Sequence, residues 1–245
     1  MTFPKGTFGS LTMFEMNGKK FVVKRANPTY ERSILNEINI LTDLQHKNIV
    51  SIVSYDKLEP FYVMPYINGR DLYFVLSESE QPASEFLFYI YGEVLNALEY
   101  CHENSVYHLD IKPENIMIEH GTNKVYLIDF GHATNSNIIS SKFNIGTLEY
   151  DPPEVILKIP YVPEEVDSWQ VGILFYEICT FQVPFNGGIE SADYEKYIKT
   201  GNLRLPYSLK DTVVKFIFSL IRPVPAERLS IKEIKCEFKK LITLL

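Results

Sequence analysis

The 245-residue sequence predicts an α+β fold in which a small β-rich N-terminal lobe carrying one helix precedes a larger, mainly α C-terminal lobe. Three observations carry that expectation. Residues 1–24 alternate in hydropathy around the turn signal Asn17-Gly18 and end in FVVK, as a hairpin would. From Thr29 the period changes. Ile34, Leu35, Ile38, Leu41 and Leu44 recur at helical spacing just after Pro28, and a second β-rich stretch, NIVSIVSYDKLEPFYVMPYI, fills 48–67. Beyond Asn68-Gly69 the pattern turns helical.

The clearest helix is 84–104, where Phe88, Tyr91, Leu95 and Leu98 share one face. ENIMIE and KVYLID read as two short strands framing the turn His120-Gly121. A Pro-rich region, 151–163, leads into an apolar helix around 167–180 and then further helices up to Leu245. There is no internal repeat, so one domain is expected over 1–245, with an N-lobe of about 1–65, a hinge at 65–67 and a C-lobe over 68–245.

Hydrophobic residues make up 46% of the chain, enough to bury a large core. A net charge of -7 without a basic tract argues against nucleic acid or anionic lipid as partner and favours a cationic protein or peptide. Cys101, Cys179 and Cys236 are odd in number and far apart, which indicates neither a disulfide framework nor a zinc cluster. Each lies in an apolar-periodic stretch, so buried thiols are expected. The most apolar window, VGILFYEICTF at 171–181, carries Glu177 and is too short to span a bilayer, and no signal peptide opens the chain. The expected setting is soluble and intracellular, cytoplasmic or nuclear.

Chemistry concentrates in HLDIKPEN at 108–115, which sets a His, two acids, a Lys and an Asn within eight residues. Around it stand GTFG at 6–9, FVVK at 21–24, Glu37 on the first helix, DFG at 129–131 and PPE at 152–154. In this order, over nearly the whole chain, the set resembles the signature of eukaryotic-type serine/threonine protein kinases. The resemblance implies a two-lobed protein kinase-like fold, ATP and Mg2+ as cofactors, and phosphorylation of Ser/Thr hydroxyls on proteins. Such chemistry asks a protein mainly for positioning and electrostatic stabilisation.

The resemblance assigns roles residue by residue. Asp110 would accept or orient the proton of the attacking hydroxyl, with Lys112 near the transferred phosphate and Thr147 hydrogen-bonded close to both. Lys24, directed by Glu37, would contact the α- and β-phosphates, and Asn115 and Asp129 would supply the hard oxygen ligands magnesium prefers. Gly6 and Gly9 would border the phosphates. Leu11, Val22 and Met117 would sandwich the adenine, Met64 would guard the back of its site, and Pro65 and Ile67 would offer it a carbonyl and an N–H. Asp71 and Glu114 occupy positions that contact Arg residues in relatives with basic substrates, and Asp71 serves equally as a ribose contact. Structural parts fall to His108 and Phe130 in and behind the DFG turn, to Asp167 capping the catalytic-loop backbone, and to a Glu154–Arg228 ion pair.

Blander readings accompany each residue. A lone Lys-Glu pair is usually a surface salt bridge contributing under about 1 kcal/mol, and an Asp-Asn pair near a Pro can be an Asx turn. The spacing from Asp110 to Asn115 nevertheless matches the catalytic-loop pattern.

The sequence also departs from the family. Pro4 stands where the first phosphate-loop glycine belongs, and Val22 where Ala is usual. Only thirteen positions separate Lys24 from Glu37, which predicts a helix abbreviated at its start. Leu109 replaces the Arg that in many kinases binds a phosphorylated activation segment, so activity independent of that modification is expected. The alternatives are a catalytically weak pseudokinase acting as a binding or decoy module, and a kinase-like fold acting on a small molecule. The compact length and the GTLEY segment are also similar to kinases of large DNA viruses, baculoviruses among them.

Overall fold

The computed structural model describes residues 9–140, 147–185, 192–201 and 203–245. Two antiparallel strands, β1 (Gly9–Met16) and β2 (Lys19–Ala26), form the expected hairpin. Its turn is Asn17-Gly18, both at positive φ (53° and 72°), the geometry that lets a two-residue loop follow the twist of its strands. Two further strands, β3 (Ser54–Asp56) and β4 (Phe61–Pro65), complete a four-stranded antiparallel sheet in the order β1-β2-β4-β3.

The register decides which side chains share a face. Leu11 lies opposite Lys24, Lys24 opposite Tyr62, and Val22 opposite Met64. Cross-strand partners point the same way, and so do residues two apart, so these five side chains line one side of the sheet. Lys24 and Val22 are both buried there.

The helix expected from Thr29 opens instead with a 3-10 turn at Pro28–Tyr30, and α1 proper runs Glu31–Asp43. Proline fits a first turn because the N–H it lacks would have had no partner there. Ile34, Ile38 and Leu41 are buried as the periodicity predicts, and Glu37 is buried with them. Of the apolar stretch 48–67, only β3 and β4 form strands. Ile49 makes an isolated bridge to Leu127 and Val50 N–H donates to the Leu127 carbonyl, so this part buries its side chains without joining the first sheet.

The remaining elements are β5 (Gly69–Asp71), α2 (Leu72–Leu76), α3 (Ser84–Glu103), β6 (Ile116–Glu119), β7 (Val125–Leu127), α4 (Pro153–Ile156), α5 (Pro163–Thr180), α6 (Ala192–Thr200), α7 (Asp211–Leu220) and α8 (Ile231–Leu244). Strands β5, β6 and β7 form a small second sheet. A Cβ at Gly69 would lie 2.0 Å from the Ile118 carbonyl oxygen, so only glycine allows β5 to approach β6. Helix α5 starts four residues earlier than its apolar run, because Pro163 and the acids Glu164 and Glu165 suit a helix N-terminus. It is buried nearly all round and forms the axis of the α-rich part.

One expectation fails outside the site. Cys101 is buried and Cys179 half-buried, but Cys236 is exposed. Helix α8 turns Ile231, Ile234, Phe238 and Leu241 inward at spacings of three and four, which leaves position 236 on the opposite face. No helix among the described residues is long and apolar enough to cross a membrane.

Candidate active site

The loop 108–115 hangs from α5. The Asp167 carboxylate, fully buried, accepts the N–H of His108 at 2.9 Å and of Leu109 at 2.7 Å, and meets His102 Nε2 at 2.8 Å. One turn along, the Gln170 side chain accepts the Ile111 N–H at 3.0 Å and donates to the Leu109 carbonyl at 3.1 Å. Asp167 is among the residues expected from the sequence and Gln170 is not, although it stands one helical turn (i, i+3) beyond Asp167 on the same face. Together they hold Leu109 at φ +62°, a conformation costing a non-glycine residue about 1–2 kcal/mol.

That turn delivers Asp110. Its carboxylate accepts Asn115 Nδ2 at 2.8 Å, and Lys112 Nζ lies 3.0 and 2.9 Å from its two oxygens. Lys112 also donates to Thr147 Oγ1 at 2.8 Å, so the predicted trio of Asp110, Lys112 and Thr147 is assembled. Burial alone would raise the Asp110 pKa. His132, whose Nδ1 is 3.6 Å from Oδ2, and the Lys112 ammonium outweigh burial and hold the carboxyl well below its usual range.

A second cluster joins the β-sheet, α1 and the DFG turn. Lys24 Nζ sits 3.0 Å from Glu37 Oε1, 2.8 Å from Oε2 and 2.8 Å from Asp129 Oδ1. Burial depresses a lysine, but the two carboxylates prevail and the Lys24 pKa is raised, so it stays cationic. Glu37 Oε1 also accepts the Tyr62 hydroxyl at 2.9 Å and the Phe130 N–H at 3.0 Å. The fully buried Tyr62 carries no motif, and nothing short of the strand register could have nominated it. His108 is fully buried as expected. Its Nε2 lies 3.1 Å from the Ile128 carbonyl, its ring meets Phe130 edge-on at 4.7 Å, and burial lowers its pKa.

Asn115 and Asp129 suit magnesium in donor chemistry. The Asn115 amide nitrogen donates to Asp110, which leaves its carbonyl oxygen for a cation, and Asp129 stands at φ +60° with its Oδ1 facing Lys24. No cluster of three or more His, Cys, Asp or Glu among the described residues forms a cage. A magnesium ion needs none where phosphate oxygens and water complete its shell.

Leu11, Val22 and Met64 line the Lys24 face of the first sheet, Gly9 begins β1 opposite Ala26, and Met117 lies in β6 opposite Asp71. The Tyr66 N–H donates to the Lys20 carbonyl at 3.0 Å, and the alternation of an antiparallel ladder turns the Pro65 carbonyl to the other edge. Gly6 and Pro4 lie outside the described residues. Asp71 has a further task that the sequence reading did not foresee. Its Oδ1 caps α2 by accepting the Phe74 N–H at 2.7 Å.

The platform beyond Thr147 is anchored by Arg228. Its guanidinium grips both Glu154 oxygens at 2.6 and 2.8 Å, donates to the carbonyls of Glu165, Arg222 and Pro223, and lies 5.0 Å over the Trp169 ring. Tyr150 hydroxyl donates to Glu177, whose pKa is pushed up to about 7 by burial and by Glu114, against the pull of that hydrogen bond. Asp151, 4% exposed, is pushed up to about 8 by burial and by the neighbouring Asp110, Glu149 and Glu154 carboxylates, against Lys112.

Residues 5–238 match the protein kinase domain family. The chain is 32% identical over 241 residues to Aurora kinase C of Mus musculus, an alignment covering 94% of this chain and 86% of that protein. It is 28% identical over 240 residues to Aurora kinase B of Danio rerio, covering 94% and 74%. Over 248 residues it is 28% identical to CBL-interacting protein kinase 14 of Oryza sativa subsp. japonica, covering 94% and 55%. These relatives are animal and plant proteins, and none of them bears on the likeness to viral kinases.

Proposed function

The chain belongs to the protein kinase family and is a serine/threonine kinase acting on proteins, and from that premise we propose that it uses magnesium-ATP, prefers Arg/Lys-rich substrates and needs no phosphate on its activation segment. The observation that carries the catalytic reading is Asp110 held jointly by Lys112 and Asn115, with Lys24 and Asp129 in contact with each other. In the transfer, the Ser/Thr oxygen forms a bond to the γ-phosphorus as the bond to the ADP oxygen breaks, and the hydroxyl proton passes to Asp110. A carboxylate as acidic as Asp110 orients that hydroxyl and takes its proton late, once the oxygen has begun to bond phosphorus. Lys112 stabilises the charge of the moving group, and Lys24 fixes the α- and β-phosphates. Bound magnesium would neutralise the phosphate charge, held by Asn115 and Asp129.

Three acids support a basic substrate. Asp71 keeps an oxygen beyond its helix cap, and Glu114 and Glu177 lie within electrostatic reach of each other. A cationic side chain entering between them would relieve their repulsion. The net charge of -7 draws such substrates in at long range.

Independence from phosphorylation is supported by what surrounds Leu109. Its side chain, 1% exposed, packs in an apolar cluster with Val155, Tyr161 and Val166, against which Tyr107 and Ile139 lie. The backbone there is stitched by bridges between Tyr107 and Thr134 and between Ile139 and Tyr161. Apolar packing surrounds the position at which many kinases carry the phosphate-binding Arg.

Transfer of label from γ-labelled ATP to a basic protein, with Asp110→Asn as control, tests the catalytic reading. Label that appears with wild type and vanishes with the variant supports it. Absence of transfer to any protein would favour a pseudokinase. Replacing Thr134, Ser140 and Ser141 together by Ala should leave turnover intact, and its collapse would refute phosphorylation independence.

A further inference from the structure

Helix α1 makes two contacts that the catalytic scheme does not use. Ser33 Oγ donates to the Gly131 carbonyl at 2.8 Å, and Asn36 Nδ2 donates to the Ala133 carbonyl at 2.7 Å. With Glu37 accepting the Phe130 N–H at 3.0 Å, one face of α1 therefore bonds to the backbone at 130, 131 and 133. Positions 33, 36 and 37 are spaced three and four apart, as residues on one helix face must be. The grip falls on a short 3-10 turn, Phe130–His132, whose preceding residue Asp129 is strained at φ +60°. Beyond it the chain passes directly into the bridge between Thr134 and Tyr107.

We infer that Ser33 and Asn36 are positioning residues that lock the turn after Asp129 to α1, so that Asp129 and the Lys24–Glu37 pair keep one catalytic register without an external signal. The inference rests on the proposed role of Asp129. Two neutral donors on carbonyls suit this task, since they fix the backbone without adding charge near Asp129 and Lys24. The short connection from Lys24 to α1 assists, because it leaves the helix little slack to swing outward.

The test uses Ser33→Ala, Asn36→Ala and the double variant of the full chain, with Ser33→Thr as the donor-retaining control. Alanine raises helix propensity at both positions, so any loss cannot come from melting α1. Turnover should fall roughly three- to tenfold for each donor removed. The magnesium concentration for half-maximal rate should rise, peptide KM should stay unchanged and Ser33→Thr should stay close to wild type. In the nucleotide-free protein, hydrogen exchange at the amides of 130–134 should accelerate in the double variant while those of β1 and β2 keep their protection. Wild-type turnover with unaltered exchange at 130–134 would overturn the inference, and so would acceleration spread evenly over the whole sheet. Asp129→Asn is the separate arm. If that variant keeps wild-type turnover, the reading of Asp129 fails, while the exchange result still decides whether the lock exists.

Discussion

The Asp167 carboxylate holds the Leu109 amide at 2.7 Å and thereby a backbone turn, φ +62°, that leucine does not adopt on its own. The same carboxylate serves His108 and His102. Asp167→Asn leaves one acceptor oxygen for these donors, so at least one buried N–H loses its partner at a cost of about 1–3 kcal/mol. Chemical denaturation should register that loss, and turnover of the folded fraction should drop at least roughly tenfold as Asp110 loses its register.

Leu109 can be probed from its side chain. Leu109→Ala should cost about 2–4 kcal/mol through the cavity it leaves beside Val155, Tyr161 and Val166. Limited proteolysis should then cut faster near Ile139, where the cluster pins the segment. Leu109→Arg places a charge in the same apolar site and should destabilise at least as much. Equal proteolysis rates in all three proteins would contradict the anchoring role.

The proposed preference for basic substrates ties substrate choice to the protonation of Glu177. With its pKa near 7, it is largely neutral at pH 6 and anionic at pH 8. The preference for an Arg-containing peptide over a neutral one, as a ratio of kcat/KM, should therefore climb between those values. Glu177→Gln should flatten the climb. A ratio that stays level in wild type would remove Glu177 from substrate recognition.

Asp151 links stability to pH with the opposite slope from most carboxylates. Its folded pKa, about 8, lies above the ordinary 3.8, so between these values the native state holds a proton that the unfolded chain has released. Its stabilising contribution is present below about pH 4, declines as pH rises and levels off above about 8. The slope approaches ~1.4 kcal/mol per unit in that window. Melting temperatures of Asp151→Asn should depend less on pH between 6 and 8 than those of wild type.

The hairpin, α1 and α3 were legible because a turn dipeptide or a long helical period announces itself within a few residues. The residues converging on Asp110 and on Lys24 were legible because their ordered motifs resemble the protein kinase signature, which assigns a role to each position. Gln170 and Tyr62 escaped because each acts through a partner 61 or 25 positions away, a relation that only the packing of α5 and the register of β4 creates. Residues 48–50 misled because burial against β7 and pairing within a sheet select the same residue types. Cys236 misled because membership in a periodic stretch does not say which face a residue takes.

A contact made of carbon cannot be erased by a phosphatase. With Leu109, Val155, Tyr161 and Val166 doing the anchoring, the proposed independence from phosphorylation would let the enzyme work from the moment its chain has folded. Restraint then has to come from how much of it is synthesised, how soon it is destroyed and which proteins it is allowed to meet.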